Sequence, residues 1–179
     1  MLVLMKILII GPLGAGKSTL AYQINKKFNL KRLNLDEVAR NPQDGSYYSQ
    51  KDQLKNLNQF LQVNDDWVIE GSQYPLYQQT NPDLIVDMRI NRLIAIWRFT
   101  TRFIKAKKLQ GKVIDKDLPV QAYHYRPVSL KKIMEWDKSN QEIMHDIAHF
   151  LDNITIQSIK CKKYADYQKV FDIIQKVVS

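Results

Sequence analysis

Cysteine is almost absent. Cys161 is the single one in 179 residues, so no internal disulfide can form, nothing points to an oxidising compartment, and a cytoplasmic protein is expected. Long apolar runs are also missing. The uncharged stretch Ile7 to Gly16 is about half of what a bilayer crossing needs, and Gly and Pro interrupt it, which excludes a membrane span there. Met1 to Ile10 lacks the basic n-region of a signal peptide and runs directly into a glycine-rich loop, so it reads as a first strand, and either Met1 or Met5 can be the natural start of the protein. Acidic residues are in deficit, 18 against 27 lysines and arginines, leaving a formal charge of +9. That balance favours an anionic partner such as a nucleotide, a phosphorylated metabolite or nucleic acid. Repeats, low-complexity tracts and domain linkers are lacking too. One domain over 1–179 is therefore expected, and a chain of this length buries roughly 70% of its unfolded surface without staples.

The residues present set out strands alternating with helices. Lys6 to Ile10 is a short β-branched and leucine run closed by Gly11, and Leu20, Ile24 and Phe28 then share one helix face. Arg32 to Leu35 reads as a second strand ending at Asp36, Ser49 to Val63 as a helix with Leu54, Leu57 and Leu61 inward, and Trp67 to Ile69 as a third strand ending at Glu70-Gly71. Tyr74 to Asp83, with two prolines, reads as a connection. Leu84 to Val86 ends a fourth strand at Asp87, and a helix from about Asn91 carries an apolar stripe of Leu93, Ile94, Trp97 and Ile104. Periodicity is lost from Gln110 to Pro127, which predicts a mobile lid over about 99–128. Ser129 is a fitting N-cap for a long helix through Trp136, Ile147 and Phe150. Ile154 to Ile159 alternates as a fifth strand, and Asp166 to Val178 reads as a closing helix. Such alternation predicts an α/β protein with a parallel sheet covered on both faces.

Gly11-Pro12-Leu13-Gly14-Ala15-Gly16-Lys17-Ser18 matches G-x-x-x-x-G-K-[ST] at every fixed position, between the first strand and the first helix. In such a loop the backbone N–H groups around Gly11, Gly14, Ala15 and Gly16 cradle phosphates, Lys17 bridges the β- and γ-phosphates, and Ser18 ligates Mg²⁺. Thr19 can add an α-phosphate contact. ATP and Mg²⁺ are the implied cofactors. The GTPase N-K-x-D and D-x-x-G patterns and the L-S-G-G-Q signature of transport ATPases are absent. Between Trp97 and Val113 stand Arg98, Arg102, Lys105, Lys107, Lys108 and Lys112 with no acid. Arg98 and Arg102, four apart, project from one helix face and can clamp β- and γ-phosphates as charge spreads over the transferring group; a solvated basic face is the plainer reading.

The order of Ile9-Ile10-Gly11, Leu33-Asn34-Leu35-Asp36, Trp67-Val68-Ile69-Glu70-Gly71 and Ile96-Trp97-Arg98-Phe99-Thr100-Thr101-Arg102 resembles the adenylate-kinase-related topology modulation proteins. The resemblance spans most of the chain. It implies a three-layer P-loop NTPase fold of the nucleoside-monophosphate-kinase type, a five-stranded parallel sheet in the order 2-3-1-4-5, an ATP·Mg²⁺ site and a lid that closes over the phosphates. The family name also implies a link to DNA supercoiling.

In a sheet of that order Glu70, ending the strand beside the first, approaches Mg²⁺ or its water, with Asp87 as the second choice. Asp36, at the carboxyl edge of the sheet, can orient or deprotonate an acceptor hydroxyl, and Arg40 can hold an acceptor phosphate. Monophosphate kinases carry Asp-Gly-Phe-Pro-Arg after the third strand; Glu70-Gly71-Ser72-Gln73-Tyr74 has no such arginine, which argues against a monophosphate acceptor. His145 and His149 lie one helical turn apart, but no third zinc ligand is evident. The expected function is an adenylate-kinase-like phosphotransferase, monomeric or dimeric, acting on a nucleotide, a nucleoside or a hydroxyl metabolite. The rivals are an ATP-dependent nucleic-acid-binding protein affecting DNA topology and a slow ATPase acting as a nucleotide sensor.

Overall fold

A computed structural model describes residues 5–108 and 130–178, with side chains throughout except at 99, 102–108, 130–133 and 178. In chain order the elements are β1 Lys6–Ile10, α1 Lys17–Phe28, β2 Lys31–Asn34, α2 Leu35–Ala39, α3 Gln50–Val63, β3 Trp67–Gly71, α4 Tyr74–Tyr77, β4 Leu84–Met88, α5 Arg92–Lys108, α6 Leu130–Asp152, β5 Ser158–Cys161 and α7 Asp166–Val178. The five strands form one parallel sheet in the order β2-β3-β1-β4-β5. This is the P-loop NTPase fold in the expected three-layer α/β arrangement.

Strand alternation builds the layers. Ile7 and Ile9 of β1 point to one face and pack with Leu20, Ala21 and Ile24 of α1 and Val170 and Ile174 of α7. Leu8 and Ile10 point to the other, against Leu35 and Val38 of α2, Leu57 of α3, Tyr77 of α4 and Ile147 and Phe150 of α6. The three central strands β1, β3 and β4 are covered on both sides, whereas the edge strands β2 and β5 carry exposed residues. Each large side chain so buried contributes about 1.5 to 3 kcal/mol, and this fixes which strand ends lie next to one another.

Several local expectations are corrected. Asp36 does not end a strand. The chain leaves β2 at Asn34, whose side chain accepts from the Asp36 N–H at 2.8 Å and caps α2, so Asp36 stands in the first turn of a helix. The stretch after β3 contains a one-turn helix, because Pro75 is tolerated in the first turn of α4. β5 begins only at Ser158. Ile154 and Ile156 pack on the core ahead of it without joining the ladder, which explains their alternation. Of the stripe foreseen on α5, the side chain of Ile104 lies outside those described, and Leu93 and Trp97 face outward at 75% and 65% exposed while Ala95 is buried. A small side chain suits that position, where the helix backbone passes close to Gly14. Of the expected lid, 99–108 continues α5 as helix, and 109–128 lies outside the described residues, as does Ser129. Among the described residues no helix is long and apolar enough to cross a membrane.

Candidate functional site

The site forms where β1 and β3 end side by side, Ile10 pairing with Gly71. The loop from Gly11 to Gly16 turns over this edge into α1. Gly11 passes so near β4 that an added Cβ would lie 2.5 Å from the Met88 carbonyl oxygen. Gly16, the residue before α1, has φ 96°, a left-handed conformation that side chains resist. From the opposite layer Asn140 of α6 braces the loop, its Oδ1 accepting from the Leu13 N–H at 2.7 Å. Trp136 of the same helix lies beside Gly14.

Lys17 is held back over its own loop. Its Nζ donates to the carbonyl oxygens of Gly11 at 2.9 Å and Pro12 at 3.1 Å and to Ser72 Oγ at 2.9 Å. Ser18 follows half-buried and Thr19 exposed at the start of α1. Arg98 reaches the same loop from α5, with Nη1 3.1 Å from the Gly14 carbonyl oxygen. The structure thus brings Arg98 to the loop beside Lys17. Arg102 lies one turn further along α5, and its side chain is outside those described.

Acids gather on the β2–β3 side. Glu70, 2% exposed, is paired with Arg32 of β2, Oε1 to Nη2 at 3.3 Å. Burial pushes the Glu37 carboxyl above the usual carboxylate range, opposed by the Arg32 charge and reinforced by Glu70 and Asp36. Asp36 itself accepts from the Gln73 side-chain amide, Nε2 to Oδ1. Asp87 is fully buried on the opposite side of β1. It bonds Arg89 at 2.7 Å, has its other oxygen unpartnered among the described residues, and burial raises its pKa in spite of Arg89 and Lys160. Arg40 is turned to its own loop, donating to the Gly45 carbonyl and lying 3.9 Å from the Tyr47 ring centroid.

The sequence reading missed Ser72, Gln73, Arg32 and Asn140. Only the placement of Ser72 and Gln73 directly after a strand end at the carboxyl edge could have pointed to them. Among the described residues no three His, Cys, Asp or Glu side chains converge as a metal cluster. His149 instead bonds the Tyr74 hydroxyl at 3.0 Å through Nδ1. Cys161 is buried beneath Asp166, and burial lifts its thiol to about 11.

Fold and loop together define a P-loop protein with the sheet order of the nucleoside monophosphate kinases. No family model and no curated protein matches the chain. Among solved structures it is similar to the shikimate kinase from Acinetobacter baumannii, in complex with shikimate. The TM-score is 0.54 and the identity 18%, covering 98% of this chain and 95% of that one. At this identity the likeness speaks for the fold.

Proposed function

We propose that the chain is an ATP-dependent phosphotransferase, a single cytoplasmic domain that moves the γ-phosphoryl group of ATP to a small acceptor, preferably one carrying a hydroxyl group. The observation that carries the reading is the convergence of Lys17 and Arg98 on the phosphate loop, with Asp36 at the neighbouring edge of the sheet. Fixed cations on one side and a carboxylate on the other suit phosphoryl transfer, which depends mainly on positioning and charge stabilisation. Lys17 exchanges its carbonyl partners for β- and γ-phosphate oxygens, and Arg98, with Arg102 one turn on, meets the charge that spreads over the transferring group. The acceptor oxygen bonds to the γ-phosphorus and the bond from that phosphorus to the β–γ bridging oxygen breaks, its electron pair leaving with ADP. Asp36 takes the acceptor proton.

The oxygen donors Ser18 and Glu70 are of the kind a hard cation such as Mg²⁺ prefers. Because Arg32 already pairs with Glu70, we assign Ser18 the direct contact and Glu70 an approach through water. Bound there, the ion would neutralise phosphate charge. The lack of an arginine after β3 favours a hydroxyl acceptor over a monophosphate. The ordered resemblance to topology modulation proteins, whose adenylate-kinase-related architecture this sheet shares, is the finer assignment within the proposal.

The test is ADP formation from Mg²⁺·ATP by wild type and Lys17→Ala, with shikimate, other hydroxyl metabolites, nucleosides and nucleoside monophosphates offered singly. One acceptor is expected to raise ADP release well above the water background only when Lys17 is present. A flat panel despite confirmed ATP binding sinks the proposal and turns attention to a nucleotide sensor or to DNA binding, which salt-dependent duplex association would reveal.

A further inference from the structure

Gln73 is required by no nucleotide-binding motif, yet its side chain is engaged at both ends. Nε2 donates to Asp36 Oδ1, and Oε1 accepts from the Ser72 N–H at 3.3 Å. Ser72 in turn accepts from Lys17 through Oγ at 2.9 Å and donates from the same hydroxyl to the Gly11 carbonyl at 3.2 Å. A continuous set of bonds therefore runs from the phosphate-binding lysine to the carboxylate on α2 by way of two adjacent residues after β3.

The chemistry of an amide suits this place. A neutral amide donor fixes the direction of a carboxylate through one directed hydrogen bond without bringing a second charge to the site. It engages one oxygen of Asp36 and leaves the other to an incoming hydroxyl. Asp36 sits in a helix of five residues, and Gln73 in the bend between β3 and α4, so the bond also ties two short connections that no ladder joins.

We propose that Gln73 is a positioning residue for the acceptor half of the site: it sets Asp36 toward the acceptor hydroxyl, and its contact with Lys17 through Ser72 belongs to the resting site. The inference rests on the phosphotransfer reading above. Gln73 touches neither phosphate nor acceptor and acts through Asp36.

Two substitutions separate this role from a structural one. Gln73→Glu keeps the oxygen that accepts from the Ser72 N–H and removes the donor to Asp36, whereas Gln73→Met removes both. With the acceptor found in the wild-type panel, both variants are expected to lose about tenfold to a hundredfold in acceptor-dependent kcat, with the KM for ATP and the affinity for ADP within about twofold of wild type. In an Asp36→Asn background, Gln73→Met is expected to cost nothing further, since the carboxylate it positions is gone. Wild-type kcat in Gln73→Glu would show that the amide serves only the loop, and a loss of ADP binding in both variants would show the same; either overturns the proposal, as does a full additional loss in the Asp36→Asn background. A wild type that no acceptor stimulates instead overturns the phosphotransfer reading itself, before any variant is made.

Discussion

Lys17 and Ser72, 55 positions apart, are joined by a 2.9 Å bond between the lysine Nζ and the serine hydroxyl. The serine occupies the place directly after Gly71, whose strand pairs with β1. A lysine so placed must give up resting partners to meet phosphate. Ser72→Ala removes one of them, so ATP is expected to bind about two- to tenfold tighter, as a competing charge-assisted bond is lost from the resting state. Titration calorimetry checks this; unchanged affinity would mean that Lys17 keeps Ser72 when the nucleotide is bound.

Arg98 is an exposed residue that donates to the Gly14 carbonyl, so its removal costs little stability, about 0.5 kcal/mol or less. If it meets developing charge, Arg98→Ala lowers ADP formation by about a hundredfold to a thousandfold and Arg98→Lys recovers part of that. Equal activity of Arg98→Ala and wild type would reduce the basic helix to a solvated surface.

Glu70 and Arg32 are coupled. Arg32→Ala leaves a buried carboxylate without its partner and is expected to lower unfolding stability by about 2 to 4 kcal/mol in urea titrations. Glu70→Gln keeps the size and removes the charge. The Mg²⁺ concentration for half-maximal ADP formation is then expected to rise about tenfold, and an unshifted Mg²⁺ dependence would remove Glu70 from the ion's surroundings.

Cys161 supplies a pH prediction. Burial first, and then the charges of Asp166 and Asp87, raise its thiol from 9.0 to about 11. The folded state therefore holds the proton more tightly than the unfolded chain. The resulting stability is fully present below pH 9 and is lost as the pH rises to about 11, by about 2 kcal/mol. Unfolding free energies from pH 8 to 11 should fall more steeply for wild type than for Cys161→Ala; parallel curves would mean that the thiol is not shielded.

The loop Gly11 to Ser18, the strand that feeds it, the helix it opens and the closing helix from Asp166 were all legible in the sequence. Each is specified within about a dozen residues by apolar period, glycine placement and cap chemistry. Asp36 was found as a residue but misplaced as structure, because a side chain two positions earlier diverts the chain from strand to helix. The apolar stripe on α5 was legible but its direction was not, because periodicity shows that a face exists and not which way it points; contact of Ala95 with the phosphate loop leaves Leu93 and Trp97 outward. The links from Lys17 to Ser72, Asp36 to Gln73, Glu70 to Arg32 and Leu13 to Asn140 span 37 to 127 positions. The amino-acid sequence determined that a phosphate loop would form and where its lysine would stand. Only the tertiary structure decided which side chains meet that lysine and its neighbouring acids, because strand register and layer packing set those distances, and no local pattern carries them.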